Sequence, residues 1–387
     1  MFMHQIKLKN VLSFGPGGQD LELMPLNVLI GPNGSGKSNL IEVIGLLRAA
    51  PKDLQKPIRE GGGVGNWVWR GERPEKFAEV ESVVSNESDG LSRYELRFCE
   101  VDQRFRVHTE SLCAEPSEQN PDPMPYFVSR PSNVQLQTRD DRDGMLTMKV
   151  QPAEPDQSVF SIVKGPDYRE ITYIGRQFQR IRLYRDWSFG RRSRLREPCK
   201  ADFPNDELME GCENLGLVLN RLKSRHPTTS DRIREELRRL YDGIDAVDVS
   251  VEGGTVQLFL REGDITIPAT RLSDGTLRYI CLLAILCHPN PPPLVCLEEP
   301  ELGLHPDLIP SLADLLQEAS TRCQLIVTTH SDVLVDKLSD SPDLVVCEKQ
   351  EGQTRLQRLD ADELAHWLDR YSLGELWTRG ELGGNRW

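Results

Sequence analysis

Several short stretches of this chain bring together residue types that do phosphate chemistry. GPNGSGKS, residues 31–38, fits the spacing GxxxxGK[ST] in full, with an apolar strand pattern before it and a helical pattern after it. Gly31, Pro32, Asn33, Gly34, Ser35 and Gly36 form a loop whose glycines let backbone N–H groups turn inward around phosphate oxygens. Lys37 brings a positive charge to the β and γ oxygens and Ser38 a hydroxyl for Mg2+. The helix that starts there, Asn39 included, adds its dipole. Motif and context together predict a nucleoside triphosphate site.

PLVCLEEPELGLHP, residues 293–306, is an apolar run ending in two carboxylates, Glu298 and Glu299. Strand alternation sends adjacent side chains to opposite sides, so the pair can divide the work. One holds Mg2+ through its water shell, and the other aligns and deprotonates an attacking water. QLIVTTHS, residues 324–331, is another apolar strand with a polar end. His330 falls at its C-terminal edge, where open α/β sheets bind ligands, and a histidine there can hydrogen-bond a γ-phosphate. LSDGTLRY, residues 272–279, opens an apolar helix with Ser273, Asp274 and Gly275, a second helix N-terminus suited to phosphate. If it lies far from its own glycine loop, two facing copies of the chain complete each other's site. ATP then holds the dimer and hydrolysis releases it.

The elements that must position these residues can be read from periodicity. HQIKLKNVLSF and LNVLIGP read as strands and SNLIEVIGLLRAA as a helix. Residues 51–75 are broken by Pro and Gly, and GNWVWRGE within them offers Trp67 and Trp69 either as local core or as a partner anchor. Segments 77–86, 92–100, 104–112 and 145–151 alternate as antiparallel strands, with 114–144 as a mobile excursion rich in Pro, Asp, Ser and Asn. Two helices are expected in 207–241, ELMEGCENLGLVLNRLK and SDRIREELRRLYDG, the second N-capped by Ser230 with Glu235 a turn later. Strands come next at 246–252, 255–261 and 264–268, then LVCLEE, a helix from about 305, QLIVTTH and LVVCEK. Strands alternating with helices at both ends imply a mostly parallel sheet with the middle inserted between its halves.

Composition narrows the class. At 387 residues, 38% hydrophobic and 28% charged, the chain reads as an ordinary globular protein. Its longest apolar runs, such as ICLLAILC, are far short of the roughly 20 residues of a membrane span. The N-terminus lacks the layout of a signal peptide. Nine scattered cysteines without a CxxC pair fit reduced thiols in the cytoplasm and argue against zinc. The net charge of −13 repels nucleic acid at long range, yet residues 176–200 carry nine Lys/Arg against two acids. That run is either a local DNA-binding groove or a face of solvated and internally paired charges.

In this order the motifs resemble those of the ABC-type ATPases, with LSDGTLR as the signature motif. The long interruption and Arg278 at the signature's end resemble the RecF, Rad50 and SMC-head branch. EEPELGLHP followed by TTHS is similar to the stand-alone RecF-like ATPases grouped as AAA_21, as are LREPCKADFPNDELMEGCENLGLVLNRL and the tail YSLGELWTRGELGGNRW. The resemblance implies an α/β ABC-ATPase head: a mostly parallel P-loop sheet, an antiparallel β subdomain and an inserted helical signature lobe. The expected division of this single domain is 1–50 and 270–350 as P-loop core halves and 51–160 as the β lobe. Residues 161–269 are then the helical and basic insertion, and 351–387 a C-terminal helix (ADELAHWLDRYS) and tail. Carried over, Lys37 and Ser38 bind phosphate and magnesium, with Glu298 as metal ligand where many relatives have Asp. Glu299 becomes the catalytic glutamate, His330 the switch histidine, and Ser273 and Gly275 the contacts to a partner's ATP. A magnesium-lining glutamine is also implied, and Gln157 in DQSVFS is the candidate, against the alternative of a surface glutamine. The expected activity is ATP hydrolysis coupled to closing and opening of a homodimer, in DNA repair or anti-phage defence, beside a separately encoded nuclease or other effector. The rival readings are the ATP-binding subunit of a membrane transporter and a slow ATP-dependent scaffold for a protein partner.

Overall fold

The structure, a computed structural model, describes residues 1–72, 76–88, 90–116, 120–131, 133–139, 145–150, 154–188, 190–240, 243–338, 344–359 and 372–380. The chain forms two compact units, one built on Met1–Ile181 together with later returning strands, the other on Arg182–Ser341. The expected helix at 361–372 lies outside the described residues, apart from Ser372.

The first unit begins with β1 (Met3–Lys9), β2 (Gln19–Glu22) and β3 (Leu26–Ile30), followed by α1 (Lys37–Ala49), α2 (Gln55–Glu60) and α3 (Val64–Trp67). Then come β4 (Ala78–Ser85), β5 (Leu91–Val101), β6 (Arg104–Ala114), β7 (Pro125–Arg130), β8 (Asn133–Arg139), β9 (Met145–Val150), α4 (Val159–Ile162) and α5 (Arg169–Arg180). An eight-stranded sheet runs β2-β1-β4-β5-β6-β7-β8-β9. Two expectations are corrected here. β1 and β2 pair antiparallel into this β lobe and are not part of the P-loop core half. Much of the stretch 114–144 is strand, because Phe127 and Leu136 face each other across β7 and β8 and both are buried. Under the sheet Phe160 packs its ring 5.1 to 5.6 Å from Tyr94, Phe127 and Phe178, an aromatic core in tilted and edge-on contacts. Trp67 is buried as well, so it is core.

The second unit starts with β10 (Arg182–Tyr184), β11 (Cys199–Lys200), α6 (Leu215–Arg225), α7 (Pro227–Arg238), β12 (Ala246–Glu252), β13 (Thr255–Glu262) and β14 (Ile265–Pro268). It continues through α8 (Asp274–Leu286), β15 (Leu294–Glu298), α9 (Ile309–Ser320), β16 (Gln324–Thr328) and α10 (Asp332–Lys337). β10, β15 and β16 pair in parallel, while β11 to β14 make a separate antiparallel sheet. α8 is buried on every side from Leu277 onward, as its unbroken apolar run requires.

Both helices expected in 207–241 are displaced. ELMEGCEN is not helical: the Asn214 side chain receives Met209 N–H and donates to the carbonyls of Pro204 and Glu207, so the chain turns until Leu215. α7 starts at Pro227, whose fixed φ and missing N–H suit a first helical position, so Ser230 is inside the helix rather than its cap. The chain then returns to the first unit as β17 (Leu344–Gln350) and β18 (Gln353–Arg358); β17 lies parallel to β3.

Candidate active site

The motif residues fall into two groups, one in each unit. In the first, β3 is buried along its whole length and delivers the chain into the glycine loop, and α1 begins at Lys37. The loop's shape depends on glycine at two points. Gly31 has φ +146° and a Cβ there would lie 2.1 Å from the Cys347 carbonyl oxygen of β17. Gly36 has φ +105° and a Cβ would meet Thr354 Oγ1 at 2.1 Å and Ser13 Oγ at 2.8 Å. Lys37 is buried, and its Nζ crosses the loop to donate to the carbonyls of Gly31 at 2.7 Å and Pro32 at 3.0 Å.

Two residues that motif reading missed, Ser13 and Thr354, hold this loop in place. Thr354 of β18 donates its hydroxyl to Ser35 O (2.8 Å), its Oγ1 lies 2.6 Å from Ser13 Oγ, and the Asn39 amide donates to Ser13 Oγ at 2.6 Å. Asn39 therefore acts as a tether of the loop. Ser13 and Thr354 stand 341 positions apart, so no local pattern announces them.

A triphosphate suits the groups left over. Ser35 Oγ is buried with no hydrogen-bond partner, and among the described residues the backbone N–H groups of Gly34, Gly36 and Ser38 reach no protein acceptor. Donors concentrated at the start of a helix, beside a buried lysine, make an anion cradle. Ser38 is exposed at that helix start, open to a metal.

In the second unit the acidic pair has two different environments. Glu298 ends β15, and Arg185 Nε lies 3.1 Å from its carboxylate. The Trp187 indole N–H donates to the Glu298 carbonyl at 2.9 Å. Glu299 comes next with φ +45°, a left-handed conformation rare for a side-chain-bearing residue. Its backbone is fixed from both sides: the N–H donates to Thr328 O at 3.0 Å and the carbonyl accepts from the Arg278 guanidinium. Its carboxylate is 40% exposed and stands 3.6 Å from His330 Nε2. A pinned backbone carrying an accessible carboxylate suits a group that must meet a water molecule.

Arg278 is buried with its guanidinium 4.4 Å above the Trp187 ring. Burial lowers its pKa to about 10, against the pull of Glu301 and Glu299, so it remains a cation at neutral pH. Glu301, which the sequence reading passed over, accepts from Thr329 Oγ1 at 2.6 Å and from His330 N–H at 3.0 Å. It thereby fixes the turn that presents His330, while burial raises its own pKa. The visible signal for it was a third glutamate, two positions past the pair.

The signature residues divide their tasks. Ser273 caps α8 by accepting from Thr276 N–H at 3.0 Å and is exposed. Gly275 has no room for a side chain, since a Cβ would lie 2.5 Å from Gly303 O in the turn after the acidic pair. Asp274 is engaged inside the unit, with Arg196 at 2.5 Å and Gly190 N–H at 2.9 Å. Burial alone would raise its carboxyl, but those bonds outweigh it and hold its pKa below the ordinary value. Asp274 is thus a positioning residue for the signature loop.

One further expectation changes, and for Gln157, which is exposed, the surface alternative stands. Arg196 is buried, bound to Asp274 and to the Ala269 and Leu272 carbonyls, so it leaves the proposed DNA-binding set. Arg182 pairs with Glu207 and Arg185 with Glu298; Arg191, Arg192 and Arg194 remain exposed. Gln157 lines a cleft with Cys99, Arg106, His108 and Arg130, which contains none of the P-loop residues.

The model of the family AAA_21, described as "AAA domain, putative AbiEii toxin, Type IV TA system", matches residues 26–105 and 199–336, more than half of the chain. No curated protein matches the sequence. Among solved structures, the SmcHead bound to the C-winged helix domain of ScpA superposes with a TM-score of 0.58 at 17% identity, covering 94% of this chain and 99% of that one. The Smc head domain with an extended coiled coil, bound to the C-terminal domain of ScpA and derived from Pyrococcus furiosus, gives 0.54 at 16% identity, covering 95% and 98%. Those likenesses establish the fold as an α/β ATPase head. With glycine loop, acidic strand end and signature helix matched to one family, the chain belongs to the AAA_21 family of ABC-type P-loop ATPases.

Proposed function

We propose that the chain binds ATP with Mg2+ and hydrolyses it, two copies closing face to face so that the signature helix of each completes the other's site. The observation that supports this most is the glycine loop: Gly31 and Gly36 hold shapes no other residue fits, and Lys37 lies across it. Lys37, Ser38 and the loop N–H groups bind the phosphates. Ser38 and Glu298 would hold Mg2+, which would supply charge screening at the phosphate oxygens. Glu299 takes the proton of the attacking water, and His330 orients it and reports on the γ-phosphate. An exposed Ser273 at a helix start supports the composite site, since it is open to an anion from outside. Arg191, Arg192 and Arg194, exposed in a chain of net charge −13, support DNA as the regulated partner, in repair or anti-phage defence beside a separately encoded effector. Among the described residues no helix is long and apolar enough to cross a membrane.

The test uses Glu299→Gln, which should bind ATP and stall before hydrolysis. Light scattering with Mg2+ and ATP should show a dimer, and a short DNA duplex should co-elute with it. Failure to dimerise would overturn the composite site; a dimer indifferent to DNA would redirect the search to a protein partner. Replacing Arg191, Arg192 and Arg194 by Gln should lower the salt dependence of DNA binding by about 0.9 for each phosphate that is no longer neutralised.

A further inference from the structure

Resting on the reading that Glu298 holds the metal, we infer that Arg185 is the resident counter-ion of Glu298 and is displaced when Mg2+ arrives. Its release then frees the start of the segment that leads to the signature helix. β10 runs parallel to β15 with Tyr184 opposite Leu297, so the next residue, Arg185, emerges alongside Glu298. The two side chains are 27% and 16% exposed, so water screens the pair only in part. The Arg185 guanidinium stands 3.1 Å from that carboxylate, so a divalent ion bound to the same carboxylate would be repelled by it. Glu298 can therefore hold Arg185 or the metal at full strength, but not both.

The residues after Arg185 make the exchange consequential. Trp187 is hung on the Glu298 carbonyl and stacked beneath Arg278, whose guanidinium also holds the Glu299 carbonyl. A few residues on, Gly190 N–H and Arg196 grip Asp274 at the start of the signature helix. Arg196 has carbonyl acceptors that no metal competes for, so this end of the segment stays fixed. The Arg185 end is the exchangeable one. Metal arrival at Glu298 is thereby coupled to the freedom of Arg185–Ser188, the stretch that leads into the Gly190 and Arg196 grip on Asp274. Arg185 is a positioning residue in this scheme.

Mn2+ serves as a paramagnetic probe, titrated into the full chain saturated with adenylyl imidodiphosphate and read by electron paramagnetic resonance. Arg185→Gln removes the competing cation and should tighten Mn2+ binding on the order of fivefold or more, the size of a modest coupling between sites. Arg185→Lys keeps a cation and should stay near wild type, which also separates the effect from misfolding. In the wild type, Mn2+ should speed hydrogen exchange at Arg185–Ser188, and Arg185→Gln should exchange fast there without it. Unchanged or weaker Mn2+ binding in Arg185→Gln would overturn the inference while leaving the ATPase reading intact. Unchanged affinity in Glu298→Gln would overturn the metal assignment itself, and the inference with it.

Discussion

The loop after β3 and the turn after β15 both succeed a buried parallel strand, yet they are built in opposite ways. The glycine loop is made of backbone. Its shape comes from positive φ at Gly31, Gly34 and Gly36, and from two places where a Cβ would strike Cys347 O or Thr354. The acidic turn is made of side chains. Arg185, Trp187, Arg278 and Thr328 converge on Glu298 and Glu299 and hold a left-handed glutamate that glycine would adopt at no cost. A loop that must present N–H groups to an anion has to keep side chains out. A turn that must present a carboxylate has to keep its side chain and be forced into shape by neighbours.

The largest effects separate binding from chemistry. Lys37→Ala should reduce nucleotide affinity by about 100-fold, since a charge-assisted interaction of ~3 kcal/mol is removed, as read by calorimetric titration. Glu299→Gln, by contrast, should keep affinity within a few-fold. If both variants lost affinity equally, the division between a binding half and a chemical half would fail.

Within the glycine loop, crowding rather than φ should decide. Gly36→Ala puts a Cβ on Thr354 and Ser13 and should cost roughly 3 kcal/mol in denaturant unfolding, strain plus displaced packing. Gly34→Ala meets open space at φ +77° and should cost only about 1 kcal/mol, the left-handed penalty alone. Equal costs would mean the Thr354 wall yields.

Trp187→Phe probes the side-chain-built half. It removes the indole N–H from the Glu298 carbonyl and weakens the stacking under Arg278, so about 1–2 kcal/mol of stability should go. Thermal unfolding checks this, and no change would show that Arg278 alone holds the turn.

The smallest effect lies outside both motifs. Glu110 is buried in the β lobe, where its carboxylate accepts from Tyr94 OH, Ser158 Oγ and Val159 N–H. Burial raises its pKa above the ordinary 4.5 in spite of those bonds. The folded state therefore holds this proton more tightly than the unfolded chain does. Its contribution to stability is present below 4.5 and falls as pH rises through the higher folded value, by at most about 1.4 kcal/mol per pH unit. Comparing unfolding midpoints across that window, Glu110→Gln should lack this downward slope; an identical slope would assign it to another group.

The same contrast explains how much could be read from residues alone. GPNGSGKS was legible because a backbone cradle needs glycines at fixed spacing and a lysine at its end. The strands ending in Glu298 and His330 were legible because buried parallel strands are unbroken apolar runs. Strands β7 and β8 were not, since their few inward residues sit among polar ones that suggest a loop. The late start of α6 was not, because Asn214 stops a helical pattern through contacts with Pro204 and Glu207 that periodicity does not see.

By itself, then, the sequence determined the motifs: a glycine loop of phosphate-binding spacing, a carboxylate pair, a histidine and a capped signature helix, each a local pattern. Tertiary structure alone decided how they are held. It gave Asn39 to Ser13, Asp274 to Arg196, Glu298 to Arg185 and the Glu299 carbonyl to Arg278. Those partners lie up to 113 positions apart, and a charge distant in sequence finds its counter-ion only once strand register and helix packing have brought the two into reach.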